Sequence, residues 1–142
     1  MRFTAEEIEM ARQLRRLGLP WEPRPGHYVY DETAFCQKGS PFQDRVYFIL
    51  NYDYFISQVG GVDRFKQIML WLPTWQDARD VLRSLGVSDA EVAAALQKQH
   101  AIENQRELLS LFEMIAARLQ GNEQLDSQAV AGEADHQLPG RY

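Results

Sequence analysis

Residues Lys66–Gly86, with the sequence KQIMLWLPTWQDARDVLRSLG, predict a strand that runs directly into a helix. The run Ile68–Leu72 is short, unbroken and apolar, which is typical of a central strand covered on both faces. Pro73 has no N–H to donate and therefore ends the strand ladder. Thr74 and Asp77 then match a capping box, with aspartate in place of the usual glutamate or glutamine.

The predicted helix has one apolar side, because its apolar residues recur at the i, i+3, i+4 and i+7 spacing of a single helical face: Ala78, Val81, Leu82 and Leu85. Gly86 can adopt the left-handed conformation that ends many helices. Trp71 and Trp75 flank the corner between strand and helix. We interpret them as residues that seal this corner, and an aromatic ligand wall is the alternative.

The composition is that of an ordinary globular protein, with 142 residues, 45% hydrophobic and 25% charged. We expect one domain over residues 1–120. The net charge of −5 argues against a nucleic-acid surface, which is normally basic. Cys36 is the single cysteine, so an intrachain disulfide is excluded and a reducing compartment is favoured.

No targeting or membrane segment is predicted from the sequence. The start, MRFTAEEIEM, has no apolar h-region of a signal peptide. No apolar run approaches the length that spans a bilayer. We therefore expect a cytoplasmic protein that binds neither membrane nor nucleic acid.

Before the stretch Lys66–Gly86, the pattern predicts a helix, two strands and a second helix. Thr4 and Glu7 form a capping box for a helix over 5–17. Strands are predicted over 27–31 and 45–50, which are rich in β-branched and aromatic residues, with a long loop over 32–44 between them. Asn51 can cap a short helix over 52–58 that ends at Gly60–Gly61, although the aromatic residues there could also extend the strand.

The C-terminal part predicts one long helix followed by a disordered acidic tail. Ser88 and Glu91 match a capping box, and residues 89–120 contain neither glycine nor proline. The middle of this segment is polar, so two helices with a break near 99–104 are the alternative. Residues 121–142 are polar and acidic and offer little to pack, which predicts disorder.

Together these elements predict an α+β domain. We expect a small antiparallel sheet of about three strands, with helices packed on one side of it. The resulting architecture carries no signature of a known family.

One cluster of polar side chains has the residue types that catalysis uses: His27, Asp31, Glu32 and Cys36. An imidazole near Cys36 would activate the thiol as a nucleophile. The alternative is a strand-edge histidine, loop acids and a half-buried cysteine with no joint chemistry. We favour this alternative, and we predict no metal site and no cofactor.

A tyrosine-rich surface is a second candidate site. Strand alternation allows Tyr28, Tyr30 and Tyr47 to share one sheet face, with Tyr52 close behind. Such a surface suits a protein partner or a small planar ligand. The alternative is a face covered by helices, with the hydroxyls reaching solvent. Stacking of single-stranded RNA would need a basic groove, which the sequence lacks.

The distal half of the predicted long helix is the candidate oligomerisation surface. A continuous helix over 89–120 would be about 48 Å long, whereas a domain of this size has a radius of gyration of about 14–15 Å. The overhanging part would expose an apolar stripe, which a second copy would cover. The stripe consists of Leu108, Leu109, Phe112, Ile115 and Leu119.

Three functions follow as hypotheses. We favour a noncatalytic interaction module that forms a homodimer through its C-terminal helix. The second hypothesis is a ligand-sensing or regulatory domain that uses the tyrosine-rich face. The third is a small enzyme that uses the region from His27 to Cys36.

Overall fold

Three antiparallel strands form one sheet at the centre of the fold. The computed structural model describes the backbone of residues 1–136 and the side chains of residues 1–121. The strands are β1 (Tyr28–Asp31), β2 (Val46–Phe48) and β3 (Met69–Leu72), in the order β2-β1-β3. The predicted α+β class is confirmed. The strand predicted as central, which is β3, lies at an edge of the sheet, and β1 is the central strand.

Helices account for most of the described backbone: α1 (Ala5–Arg16), α2 (Tyr52–Val59), α3 (Val62–Ile68), α4 (Trp75–Ser84), α5 (Asp89–Lys98) and α6 (Glu107–His136). The sequence pattern missed α3. Its N-cap is Gly61, which offers no side-chain hydrogen bond, and the helix is only seven residues long. Ile68 therefore ends a helix, and the strand begins one residue later than predicted.

Local capping chemistry fixes where the predicted helices begin. The Thr4 hydroxyl accepts from the Glu7 N–H at 3.1 Å, and the Glu7 carboxylate accepts from the Thr4 N–H at 2.8 Å. Thr74 and Asp77 make the same reciprocal pair at 3.2 and 3.0 Å. These bonds satisfy N–H groups that have no partner inside the helix. Two of the three predicted capping boxes are therefore confirmed. At the third, the Ser88 hydroxyl accepts from the Glu91 N–H at 3.2 Å, but the Glu91 carboxylate meets the Ser88 hydroxyl and not its backbone N–H.

The sheet is covered on both faces, so the expectation of helices on one side is wrong. One face packs against α1, α4, α5 and α6 and carries Tyr28, Tyr30, Val46, Leu70 and Leu72. The opposite face packs against α2 and α3 and carries Val29, Tyr47, Ile49 and Met69. One apolar core therefore lies on each side of the small sheet. Because both faces of β3 are covered, this strand has an apolar side chain at every position.

The prediction of one continuous helix over 89–120 is wrong. α5 ends at Lys98, and His100 adopts a left-handed backbone with φ of 52°. The Ala101 N–H donates to the Leu96 carbonyl at 2.9 Å, which closes the helix end, and Ala101 is buried. Histidine is one of the few residues besides glycine that tolerate this conformation, so a helix can end without glycine or proline.

The break turns α6 back onto its own chain. α6 packs against α1 and α4, and the stripe predicted for oligomerisation lies in the larger core. Leu108, Leu109, Phe112 and Ile115 are buried, and Leu119 packs against them. The apolar exposure that motivated a dimer through this helix is therefore absent from the described side chains. The oligomeric state itself stays open to measurement.

The predicted disordered tail, residues 121–142, falls almost entirely outside the described side chains. The helical backbone of α6 is described to His136, and residues 137–142 lie outside the described residues. The disorder hypothesis therefore stays a prediction.

Candidate binding site

The structure does not bring His27 and Cys36 together. His27 lines a cleft of about 230 Å³ beside α4, whereas Cys36 lines a groove of about 470 Å³ beside α2. The two cavities share no lining residue. A nucleophile needs its base within hydrogen-bond reach, so this pair cannot act as a catalytic dyad in the present arrangement.

His27 is part of an aromatic cluster. Its Nδ1 accepts from the Trp21 indole N–H at 3.1 Å, and its ring stacks on Trp71 with 5.0 Å between centroids. Burial lowers the pKa of His27, the Arg24 charge lowers it further, and the Asp77 carboxylate opposes the shift. The imidazole is therefore neutral near pH 7. Trp71 thus packs within this cluster, and Trp75 packs against the larger core, as the corner-sealing interpretation expects.

Cys36 is held next to a buried carboxylate. Asp31 is only 1% exposed, and its two side-chain oxygens accept from the N–H groups of Phe35 at 3.0 Å and Cys36 at 2.7 Å. Burial, together with the charge and hydrogen bonding of Asp31, raises the pKa of the Cys36 thiol to about 11. A thiol with so high a pKa is a poor nucleophile at neutral pH.

We expect Cys36 to react slowly with iodoacetamide in the folded protein, because the thiolate is the reactive form. At pH 8, a pKa of about 11 leaves about one thiolate in 1,000. The alkylation rate should therefore reach half its maximum near pH 11 in the folded protein, and near pH 8.5–9 for the same chain in urea. A folded-state profile that levels off below pH 8.5 would overturn the assignment.

The register corrects the predicted tyrosine face. Tyr28 pairs with Phe48 and Tyr30 with Val46, whereas Tyr47 pairs with Val29. Paired residues of antiparallel strands share a face, so Tyr47 lies on the opposite side of the sheet from Tyr28 and Tyr30. Tyr52 lies on the Tyr47 side, partly buried against α3 and its core.

Tyr28 and Tyr30 pack against other side chains of the protein. The guanidinium groups of Arg12 and Arg45 lie over the Tyr30 ring at 5.3 and 5.1 Å. Tyr28 packs edge-on against Phe3 and at a tilt against Phe48. These two tyrosines are covered, as the alternative interpretation expects. Of the four predicted ligand-binding residues, Tyr47 lines the cavity of about 470 Å³, and the other three do not line it.

That cavity is an aromatic groove, which we define by its aromatic and leucine lining residues: Phe35, Tyr47, Phe48, Leu50, Tyr54 and Phe55. It runs between the loop over 35–41, β2 and the start of α2. Its apolar side chains are open to solvent, because Leu50 is 80% and Tyr54 63% exposed. Exposed apolar surface of this kind marks an interaction site more often than chance.

Several contacts fix the shape of the groove. Asp31 holds the backbone of Phe35 and Cys36, and the Tyr47 hydroxyl donates to the Lys38 carbonyl at 2.6 Å. The Arg64 guanidinium lies over the Phe35 ring at 5.8 Å and links the loop to α3. The loop is therefore tied to the sheet and to a helix, so the groove is pre-formed.

The groove also contains an open strand edge. The Asp31 N–H donates to the Arg45 carbonyl and the Ile49 N–H to the His27 carbonyl, so odd-numbered residues of this segment face β1. Phe48 and Leu50 therefore point their backbone groups away from the sheet. The Val46 N–H donates to the Gln43 carbonyl, and the Val46 carbonyl accepts from the Ser40 hydroxyl, so the edge is already bonded at this residue. The outward-facing backbone N–H and C=O groups of Phe48 and Leu50 have no backbone partner among the described residues.

Sequence reasoning missed most of this site. Phe35, Leu50 and Tyr54 come from a loop, a strand end and a helix, and they meet only after folding. The available signal was the length of the loop over 32–44 between two strands, since long connections often carry function.

Two further features are lacking in the parts of the chain that the structure describes. No group of three or more His, Cys, Asp or Glu side chains converges as metal ligands would. None of the described helices combines the length and apolarity needed to cross a bilayer.

The fold and the groove define an α+β domain with an apolar groove beside an open strand edge. Comparison with protein-family models, with curated proteins and with solved structures finds no match to this chain.

Proposed function

We propose that this protein is a noncatalytic interaction module that binds an extended, apolar segment of a partner protein in the aromatic groove. The observation that carries the proposal is the coincidence of exposed aromatic and leucine side chains with an open edge of β2. A partner segment would add as a strand and insert alternate side chains into the groove.

The exposure of the groove favours a polypeptide over a small molecule. Sites for small ligands usually enclose most of the ligand surface. Here Leu50 and Tyr54 stand out into solvent, which suits a partner that covers a broad surface. A flat, apolar strand edge is also the feature that proteins otherwise protect against unwanted pairing.

The positive charge of the groove indicates which charge a partner segment should carry. Lys38 is the one charged residue among those that line it. Its ammonium makes no ion pair with another described residue. A partner segment that carries an acidic residue beside its apolar side chains would complement this charge. A second copy of the chain is the competing occupant, and the experiment distinguishes it.

The test is selection from a displayed random-peptide library against the full chain. We expect the wild type to enrich apolar peptides that carry an acidic residue. The double variant Leu50→Asp/Tyr54→Asp should lose this binding, because two carboxylates would replace the apolar walls. Both positions are exposed, so the variant should keep its fold, which circular dichroism would verify.

Ile102→Asp is the matched control, because Ile102 is 65% exposed but does not line the groove. It should enrich the same peptides as the wild type. Failure of the wild type to enrich any peptide, or enrichment that the double variant retains, would overturn the proposal. A wild-type dimer in sedimentation equilibrium that Leu50→Asp converts to a monomer would identify a second copy as the occupant.

A further inference from the structure

A second cavity lies beside α4, shares no lining residue with the groove and is chemically different from it. This cleft of about 230 Å³ lies between the connector over 20–24, His27, Trp71 and one side of α4. It would hold about seven or eight waters at about 30 Å³ each. It is therefore suited to a ligand smaller than a typical drug.

Two N–H donors of the cleft, on His27 and Trp71, have no hydrogen-bond partner among the described residues. His27 is 6% exposed and lines the cleft. Its Nδ1 accepts from Trp21, so the neutral ring carries its proton on Nε2, and that N–H has no partner among the described residues. The Trp71 indole N–H is also buried without a partner there. Buried polar groups normally have a partner, so the Trp71 donor calls for an acceptor, and the His27 N–H beside it offers a second donor.

The cleft also carries two opposite charges that do not pair with each other. Arg24 makes no ion pair with a described residue. Asp77 uses Oδ2 to cap α4, which leaves Oδ1 without a described partner. The other lining acids are engaged, since Glu22 lies 3.5 Å from Lys66 and Asp80 lies 3.0 Å from Arg83. Both free charges line the cleft together with His27.

We infer that this cleft binds a free α-amino acid. The ligand carboxylate would accept hydrogen bonds from Arg24, His27 Nε2 and Trp71 Nε1, and the ligand ammonium would donate to Asp77. Donors and an acceptor of opposite charge within one small cleft match a zwitterion and match neither a simple anion nor a simple cation. The wall of Trp21, Pro20 and Val81 leaves room for an apolar part of the ligand.

Isothermal titration calorimetry of the full chain tests the inference directly. The probes are the standard free amino acids, each compared with its N-acetyl form, which lacks the ammonium, and its amide form, which lacks the carboxylate. We expect at least one amino acid to bind. Each derivative should bind at least about tenfold more weakly, which is the effect of losing one charge-assisted hydrogen bond.

Two variants locate the site. Arg24→Gln and Asp77→Asn should each weaken binding by about tenfold or more. Asparagine keeps an oxygen that can cap α4, so Asp77→Asn should still fold. Arg2→Gln and Asp53→Asn, which change exposed charges outside the cleft, should bind like the wild type.

Three results of the titrations would overturn the inference. No measurable heat for any amino acid at about 10 mM would overturn the inference, since the Kd would then lie above about 10 mM. Equal binding of the derivatives, or binding that both variants retain, would also overturn it. None of these results bears on peptide binding in the aromatic groove, so the two proposals fail independently.

Discussion

Replacing Leu109 and Phe112 together by aspartate is expected to unfold the protein. Both side chains are buried, and Phe112 is fully enclosed in the larger core between the sheet and its helices. Loss of a phenylalanine from a core costs about 3–5 kcal/mol. Each buried, unpaired carboxylate adds several kcal/mol. The sum approaches or exceeds the total stability of about 5–15 kcal/mol that a domain of this kind has.

Far-ultraviolet circular dichroism and sedimentation velocity would measure the result. Leu50→Asp is the matched control, because it places the same carboxylate at a position that is 80% exposed and should leave the fold intact. A double variant that is folded and monomeric, derived from a dimeric wild type, would show that α6 is an interface and that its placement against α1 and α4 is wrong.

Leu82→Ala is expected to have the next largest effect, a loss of about 2–5 kcal/mol in the free energy of unfolding. Leu82 is completely buried on the side of α4 that faces the larger core. Removal of its isobutyl group leaves a cavity that the sheet and α6 can fill only in part. Urea titration monitored by tryptophan fluorescence would measure the shift of the midpoint.

The adjacent Arg83 supplies the comparison. Arg83 is exposed, and its ion pairs with Asp80 and Asp89 lie at the surface of α4. Solvent screening makes such pairs contribute little. Arg83→Ala should therefore leave the urea midpoint unchanged within error. Equal effects of the two substitutions would mean that the buried side of α4 has been assigned to the wrong residues.

The local starts and ends of helices were predictable from the sequence. Thr4, Asn51, Thr74 and Ser88 each cap the helix that the pattern assigned to them. A cap involves residues two or three positions apart, so its chemistry is complete within a short stretch of chain. The apolar side of α4 was predictable for the same reason, since helical periodicity is local.

The fold class was also predictable, although its layering was not. Short β-rich runs separated by helical patterns indicated an α+β domain with a small sheet. Which sheet face each helix covers depends on how connections cross the sheet. The α3 helix, with no side-chain cap at Gly61, placed a second layer on the face that the sequence left uncovered.

The candidate site depended on tertiary structure throughout. Alternation within each strand was correct, yet the register between strands decided that Tyr47 faces away from Tyr28 and Tyr30. A one-residue difference in register exchanges the two faces of a strand, and no local pattern fixes it.

The sequence by itself determined the helix caps, the apolar side of α4 and the presence of three strands, because each follows from interactions between near neighbours. Only the tertiary structure decided that the chain turns at His100 and that the stripe of α6 is core. It alone brought Phe35, Leu50 and Tyr54 to one groove. The physical reason is that burial of apolar surface is non-directional and depends on the whole chain, so it selects among local alternatives that the sequence leaves nearly equal.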